Sequence, residues 1–320
     1  MAIIRGVDAV RARREAMGTA FEVALYGDDP AYLRDAARMA LDEVELLDEQ
    51  FSVFNEGSEL SGINAEAARR PVRVEPQLFD LLSLCQRLHR LTDGAFDVTV
   101  GPLLALWRDA AREGRMPSAA ALAEARRRVG MQHVTLRSKT RHVAFDREGV
   151  ALDLGGIGKG YAVDAIVESL RRVGVRSALV HVGTSSVFAL GAPPGEQAWE
   201  VGIAHPLDRE KRLLTLTLRD RAASTSGGYE QFVIISGQRY CHIIDPRTGR
   251  PVAGMLSCTV LTPRATEGDA LSTALFVLGV EGARRYCASH REVEAILVPT
   301  PAPGQDAQPV RVGGTTGAEK

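Results

Sequence analysis

The sequence predicts an α+β fold, in which helices flank sheets rather than alternating regularly with strands. Two observations support this class. Apolar residues recur at helical spacing through much of the first 131 residues, whereas short β-type runs separated by turns dominate after Gln132. Because the elements do not form a series of strand–helix–strand units, a doubly wound parallel sheet is not expected.

The first part of the chain contains one expected strand and four expected helices. The strand covers residues 21–25, and the helices cover residues 31–51, 76–91, 103–112 and 118–128. The first helix follows Asp29, a good N-cap residue, and Pro30, which suits a first turn because its missing N–H would have no partner there. Asp93 and Gly94 end the second helix, and Gly130 ends the fourth.

The second part begins with an expected hairpin of residues 133–136 and 142–145. Residues 151–154 are expected to form a strand that enters a glycine-rich turn, followed by a long helix over residues 158–173. Further strands are expected at 178–182, 187–190, 214–218, 232–235, 240–244 and 293–298, and further helices at 267–278 and 281–289. Residues 299–320 are rich in Pro, Gly, Thr and Gln, a composition typical of a disordered tail.

Composition excludes several classes of protein. The 320 residues include 39 Lys and Arg against 40 Asp and Glu, so the basic excess of a nucleic-acid-binding protein is missing. No apolar run approaches about 18 residues, so a membrane span is not expected. The cysteines form no C-x-x-C pair and are expected to be mostly buried free thiols rather than zinc ligands or disulfides. The N-terminal residues lack a signal peptide, so the sequence as it stands predicts a cytoplasmic protein.

The run from Asp153 to Asp164 is the most informative motif. Its glycines join a strand to a helix, and such a turn presents backbone N–H groups to an anion, beside which Lys159 adds a positive charge. The spacing matches neither the Walker A motif nor the dinucleotide motif G-x-G-x-x-G. A purely structural glycine connection remains the alternative for this segment.

A second cluster lies at the start of a predicted helix. Asp269 and Thr273 are four residues apart, so they share one helix face and offer hard oxygen ligands for Mg²⁺. Alternatively, Asp269 stabilises the helix dipole and Thr273 bonds back to its own helix.

Two further residues are candidates for the site. His242 precedes the turn Asp-Pro-Arg-Thr-Gly, and histidine is the usual general base near neutral pH, although structural packing is the alternative for any one of the seven histidines. Phe54 lies in a polar turn outside the helical stripe, where its ring can cover a flat ligand or simply cap the preceding helix.

Taken together, the motifs resemble the ApbE family, the FAD:protein FMN transferases, over residues 17–298. In chain order they are Met-Gly-Thr at 17–19, Ser-Val-Phe at 52–54, Ser-Glu-Leu-Ser-Gly-Ile-Asn at 58–64, Gly-Ala-Phe-Asp at 94–97, Gly-Pro-Leu at 101–103 with Trp107, the glycine-rich run at 153–164, Thr-Ser-Gly-Gly-Tyr at 225–229, His-Ile-Ile-Asp-Pro-Arg-Thr-Gly at 242–249 and Asp-Ala-Leu-Ser-Thr-Ala at 269–274. Each motif is weak alone, but their joint order is specific.

The resemblance implies a Mg²⁺-dependent enzyme that transfers FMN from FAD to a Thr or Ser hydroxyl of an acceptor protein through a phosphoester bond and releases AMP. By resemblance, Asp269 and Thr273 are the side-chain ligands of Mg²⁺, and Gly156 and Ser272 lend backbone oxygens. His242 corresponds to the family's histidine that is proposed to act as general base for the attacking hydroxyl. The family's FAD-contacting positions correspond to Met17, Phe54, Ala95, Phe96, Asp97, Asp153, Lys159 and Ile243, with Phe54 where an aromatic ring stacks on the isoalloxazine.

The family's fold is expected to have mixed and antiparallel sheets flanked by helices, with FAD in a cleft between two subdomains. This implies a lead segment over residues 1–16, a transferase domain over 17–298 and the tail over 299–320. Two departures from the family pattern are the loop Gly183-Thr184-Ser185, where an Asn-x-Gly-Gly-Asp variant is common, and Gly228, where Asp or Asn is frequent. Two alternatives are an FAD pyrophosphatase giving FMN and AMP, and a flavin-binding protein without catalysis.

Overall fold

The computed structural model describes residues 9–228 and 232–314. The helices are α1 (Pro30–Phe51), α2 (Glu59–Glu66), α3 (Pro76–Leu91), α4 (Gly101–Glu113), α5 (Ala119–Arg126), α6 (Gly158–Arg172) and α7 (Ala265–Ser289). The strands are β1 (Val10–Ala16), β2 (Thr19–Tyr26), β3 (Val72–Arg73), β4 (Val134–Arg137), β5 (His142–Phe145), β6 (Ser177–Val182), β7 (Ser186–Leu190), β8 (Trp199–His205), β9 (Asp208–Leu218), β10 (Arg221–Gly227), β11 (Phe232–Ile235), β12 (Gln238–Cys241), β13 (Ile244–Asp245), β14 (Arg250–Pro251), β15 (Met255–Thr262), β16 (Glu294–Pro299) and β17 (Val310–Gly313).

The centre of the fold is an eight-stranded sheet in the order β1-β2-β6-β7-β10-β15-β16-β17. Every neighbouring pair in it is antiparallel. The predicted α+β class, with antiparallel sheets and flanking helices, is therefore confirmed. Within residues 9–228 and 232–314, none of the helices combines the length and the apolar character that a membrane span requires.

Alternation along the strands gives the large sheet two apolar faces. In β2, Val23 and Leu25 belong to the main core beneath α1, α6 and α7, whereas Ala24 and Tyr26 belong to a second cluster on the opposite face. The β8–β9 hairpin covers that opposite face and buries Trp199 there. The sheet is therefore enclosed by an apolar cluster on each side.

Helix α6 lies between α1 and α7, and one carboxylate fixes it to α7. Asp164 of α6 is buried and accepts hydrogen bonds from the backbone N–H groups of Ala265 (2.9 Å) and Thr266 (3.0 Å), as well as from the Thr266 hydroxyl (2.6 Å). These bonds satisfy N–H groups of the first turn of α7 that have no partner within the helix. The start of α7 is thereby held against α6.

A smaller layer packs beside the main body. Helices α4 and α5 and the β11–β12 hairpin form a separate apolar cluster, which includes Leu103, Trp107 and Ile235. The Trp107 indole N–H donates to the carbonyl of Gly249 at 2.8 Å and so ties α4 to the turn after β13. The open space between this layer and the large sheet is the cleft described below.

Most predicted helices are confirmed within one or two residues, including α1, α3 and α6. The two helices expected at 267–278 and 281–289 form the single element α7, but Gly279 breaks its helical geometry with φ 67°, at the expected junction. The paired strands β4 and β5 confirm the first expected hairpin. The predictions missed several elements, among them β1, α2, β8, β10 and β15.

Three predictions are corrected. Residues 151–154 form no strand, because Ala151 makes only one isolated bridge, to Val100. The side chain of Asn64 accepts from the backbone N–H of Leu152 and donates to its carbonyl, in the place of a neighbouring strand. The expected strand 240–244 is interrupted, because β12 ends at Cys241 and Ile244 pairs instead with Pro251. The tail expected to be disordered contains β17, which pairs with β16 at the sheet edge, so that prediction is wrong for Val310–Gly313.

Candidate functional site

An open cleft of about 620 Å³ lies between the large sheet and the smaller layer. Twelve of the thirteen predicted site residues line it, and they come from segments spread over the whole chain. The lining members of that set are Met17, Phe54, Ala95, Phe96, Asp97, Asp153, Gly156, Lys159, His242, Ile243, Asp269 and Thr273. The thirteenth, Ser272, is buried next to Thr273.

The turn between β1 and β2 forms one end of the cleft. Met17 has φ 50° and Gly18 has φ 70°, the left-handed values that a two-residue hairpin turn requires. Such a φ is uncommon for a residue with a side chain. The Met17 backbone N–H donates to Asp48 of α1 at 2.7 Å and helps to hold the turn in place.

The loop after α3 forms one wall of the cleft through Ala95 and Phe96. The backbone N–H of Phe96 donates to the hydroxyl of Thr92 at 3.1 Å, which continues the end of the helix into the loop. Asp97 Oδ1 accepts from both the N–H (2.8 Å) and the hydroxyl (2.6 Å) of Thr99, so this oxygen of the predicted FAD contact is already occupied within the protein.

The glycine-rich turn and the start of α6 form the floor. Asp153 Oδ1 accepts from the N–H of Gly155 at 2.8 Å, and Lys159 Nζ donates to the carbonyl of Gly155 at 3.1 Å. In the first turn of α6, the N–H of Gly158 already donates to the carbonyl of Leu154 and the N–H of Gly160 donates to Asp269. The positive end of the α6 dipole and one lysine therefore lie in the same region, an arrangement suited to an anion.

The carboxylate of Asp269 lies where α6 and α7 cross. Its Oδ2 accepts from the N–H of Gly160 at 2.9 Å, and its Oδ1 makes no hydrogen bond within the described residues. The hydroxyl of Ser226 on β10 lies 2.8 Å from the hydroxyl of Ser272 and 3.1 Å from that of Thr273. The backbone of Gly156 borders the same place, because a side chain there would lie about 3.7 Å from Thr273 Oγ1. The predicted metal-binding residues are thus neighbours.

This donor set suits a hard cation rather than zinc. The described residues contain no cluster of three or more His, Cys, Asp or Glu side chains that could bind a metal. One carboxylate with hydroxyl and backbone oxygens matches Mg²⁺, which commonly uses one or two carboxylates and completes its shell with water and phosphate. The residues present therefore fit a magnesium ion that also binds a phosphate ligand.

Gly160 permits the close crossing of α6 and α7. A Cβ atom at this position would lie 2.3 Å from the carbonyl oxygen of Ala265 and 2.6 Å from Cβ of Asp269. We expect Gly160→Ala to lower the free energy of unfolding by about 3 kcal/mol, the upper end of the usual range for overpacking, and to displace Asp269. Chemical denaturation measures the loss.

The matched control is Gly62→Ala in α2, where the added methyl group meets no atom within 4 Å. It should raise the free energy of unfolding by about 0.5–1 kcal/mol, because alanine is the better helix former. Equal stability of the Gly160→Ala variant and the parent would contradict the account of the crossing.

Phe54 and His242 also line the cleft. The Phe54 side chain is 81% exposed, and the guanidinium carbon of Arg108 lies 5.8 Å from its ring centre. His242 follows β12 directly, between Cys241 and Ile243, and is partly buried. The neighbouring Cys241 thiol is not poised to react at neutral pH, because burial raises its pKa to about 11.

The loop that departs from the family pattern also borders the cleft. Thr184 and Ser185 line it, and Gly183 takes φ 48°. Sequence reasoning placed hydroxyls in this loop but did not single out Ser226 or Arg108, which line the cleft as well. Ser226 belongs to the motif Thr-Ser-Gly-Gly-Tyr, so the motif itself was the available signal; Tyr229 lies outside the described residues.

Comparison with known proteins gives a consistent result. The chain matches the ApbE family over residues 17–297. It is 36% identical over 304 residues to a FAD:protein FMN transferase of Treponema pallidum, which covers 88% of this chain and 82% of that relative. The ApbE protein of Thermotoga maritima superposes with a TM-score of 0.82 at 30% identity, covering 91% of this chain and 94% of the other. The flavin transferase ApbE of Vibrio cholerae gives 0.80 at 28% identity, with 95% and 98% covered.

Proposed function

This chain belongs to the ApbE family, and we propose that it is a FAD:protein FMN transferase acting on a Thr or Ser hydroxyl of an acceptor protein. The observation that carries the proposal is the convergence, in one cleft, of an anion-binding helix start, an oxygen ligand set and a histidine. A pyrophosphate ester requires the first two, and activation of a hydroxyl requires the third.

The reaction is attack by an alcohol on phosphorus. The acceptor oxygen forms a bond to the phosphorus on the FMN side of the FAD pyrophosphate, and the bond from that phosphorus to the bridging oxygen breaks. AMP leaves with the bridging oxygen and its electron pair. His242 takes the hydroxyl proton as general base and can return it to solvent or to the leaving group. The products are the FMN phosphoester of the acceptor and AMP.

The chain's own groups contribute mainly by positioning and by charge, as in other phosphoryl transfers. Lys159, beside the positive end of the α6 dipole, binds phosphate oxygens. Asp269 and Thr273, with backbone oxygens of Gly156 and Ser272, hold Mg²⁺, which when bound neutralises charge on the phosphates. Met17, Ala95, Phe96, Asp97, Asp153 and Ile243 form the remaining FAD contacts. For Asp97 we assign this contact to its backbone, because Thr99 already occupies Oδ1.

Phe54 is proposed to stack on the isoalloxazine ring. Because its side chain is exposed in the structure, its removal should leave stability unchanged and affect FAD binding alone. We expect Phe54→Ala to weaken FAD affinity about tenfold, equivalent to ~1.4 kcal/mol of lost ring contact. Flavin fluorescence quenching measures the dissociation constant.

Two comparisons control this prediction. Phe54→Trp keeps a flat ring and should retain or improve affinity. Leu46→Ala removes another exposed apolar side chain, on α1 and outside the cleft lining, and should have no effect on FAD affinity. Unchanged affinity in Phe54→Ala would exclude the stacking role.

One incubation separates transfer from its alternatives. The protein is mixed with FAD and Mg²⁺, with and without a library of synthetic peptides that each carry one Thr in a varied context. Flavin attached to peptide, with AMP released in equal amount, supports transfer. AMP release without flavin on peptide supports a pyrophosphatase, in which water replaces the hydroxyl. FAD binding without AMP would overturn both enzymatic functions.

A further inference from the structure

His89 lies behind the cleft wall, near the end of α3. Its Nδ1 is 3.1 Å from Asp97 Oδ2, and only 20% of the His89 side chain and 2% of the Asp97 side chain are exposed. Nδ1 itself is buried and makes no aligned hydrogen bond within the described residues. A close but unaligned contact of this kind is favourable chiefly when the imidazole is protonated, because charge attraction needs less alignment than a hydrogen bond does.

Asp97 transmits this contact to the wall of the cleft. Its Oδ1 is held by Thr99, and the Thr99 hydroxyl in turn accepts from the N–H of Gly130 at 2.6 Å. Oδ2 has His89 as its charged neighbour. The carboxylate is thus fixed from two sides within the protein, and the residues directly before it, Ala95 and Phe96, line the cleft.

We propose that His89 is a positioning residue for the FAD site: as an imidazolium it holds Asp97, and through Asp97 it keeps the wall formed by Ala95 and Phe96 in its binding position. The imidazole touches neither substrate nor reacting atoms. The inference rests on the proposed function, because it assumes that this wall contacts FAD.

The charges around His89 favour its protonated form. Burial alone would lower the pKa of His89, but the nearby Asp97 carboxylate, assisted by the backbone of Phe96, outweighs burial and raises the pKa above the ordinary 6.5. Other titratable or charged groups near the pair include Cys85 and Arg90 on α3, Asp93 in the following turn, and Asp245 at the end of β13 with its ion-pair partner Arg247.

The sign of the pH dependence follows from this direction. A group whose pKa is raised on folding contributes stability that is fully present below its unfolded pKa and is lost as pH rises through the folded pKa. The His89–Asp97 contact is therefore complete below about pH 6.5 and weakens above the raised folded pKa. FAD affinity should decline over the same interval.

The test combines two measurements on the full chain. First, the histidine signals are titrated by NMR without FAD, and His89 is assigned with the variant His89→Gln. We expect a pKa above 6.5 that falls by about one unit or more in Asp97→Asn, because an opposite charge at this distance shifts a pKa by about 1–3 units. An ordinary or lower pKa, or one unchanged in Asp97→Asn, would overturn the proposal.

Second, the FAD dissociation constant is measured between about pH 5.5 and 8.5, the range in which histidine titrates. Between these pH values the dissociation constant of the parent should increase by about tenfold more than that of His89→Gln. The variant lacks the imidazolium at every pH and so stays in the weak-binding state. His142→Gln, a histidine on β5 outside the cleft lining, should follow the parent. If His89→Gln follows the parent instead, His89 does not position the wall.

The two measurements keep the proposals distinguishable. If the parent binds no FAD at any pH, the proposed function fails, while the NMR titration still decides whether His89 and Asp97 form the protonated pair. Far-UV circular dichroism shows whether His89→Gln keeps the parent's fold. If it does not, Asp97→Asn takes its place in the same binding assay. Loss of the parent's pH dependence of FAD affinity in Asp97→Asn supports the positioning role, and retention of that dependence contradicts it.

Discussion

Asp269→Asn should reduce FMN transfer by about 10³-fold or more, the scale expected when a charge that stabilises the transition state is lost. The carboxylate is buried at the crossing of α6 and α7 and is the sole acidic side chain among the proposed Mg²⁺ ligands. Asparagine keeps the size of the side chain and an oxygen for the N–H of Gly160, but it removes the charge. Weak FAD binding should remain, because Lys159 and the helix start are unchanged.

The measurement is the initial rate of AMP release as a function of Mg²⁺ concentration, with FAD and the threonine peptides present. Asp269→Ala should be as inactive, and less stable by about 1–3 kcal/mol, because the buried N–H of Gly160 loses its partner. Asp269→Asn therefore separates the metal role from the structural role. Full activity of that variant would remove Asp269 from the proposed metal site.

His242→Ala should slow transfer by about 10²-fold or more, the usual effect of losing a general base. FAD affinity should change little, because the proposed role concerns the acceptor hydroxyl alone. Added imidazole should restore part of the rate by entering the space that the side chain leaves. Single-turnover rates of flavin attachment, measured with FAD saturating, isolate this step from binding.

His205→Ala supplies the matched control. This histidine lies at the end of β8, in the hairpin on the opposite face of the large sheet and outside the cleft lining, so its removal should leave the rate unchanged. A rate for His242→Ala equal to that of the parent would mean that the acceptor hydroxyl needs no base at this position.

Elements with a clear apolar period were predictable from the sequence. In α1 the buried residues recur every three or four positions behind a standard Asp-Pro start, and the boundaries were correct within one residue. The hydroxyl-rich strand β10 was missed because Arg221–Gly227 is composed largely of small and polar residues. It is buried between β7 and β15, where its neighbours and not its own hydrophobicity decide its structure.

The candidate site was predictable in its motifs but not in its supporting contacts. The glycine-rich turn and the Asp269–Thr273 pair are local patterns, so the sequence exposes them directly. His89 and Asp97 are only eight residues apart, yet no spacing rule relates the end of a helix to the loop beyond it. The contacts of Ser226 and Asp164 join strand to helix and helix to helix across many residues, and only the fold reveals them.

The most direct test of the account is the mass of the acceptor after reaction. Two peptide libraries are incubated with the enzyme, FAD and Mg²⁺, one carrying a single Thr in each peptide and the other carrying Val at the same place. The account predicts that threonine peptides gain the mass of FMN less one water and that valine peptides gain nothing. With Asp269→Asn in place of the parent enzyme, the threonine peptides should also keep their original mass. AMP release at equal rates with both libraries, and no change in peptide mass, would contradict it.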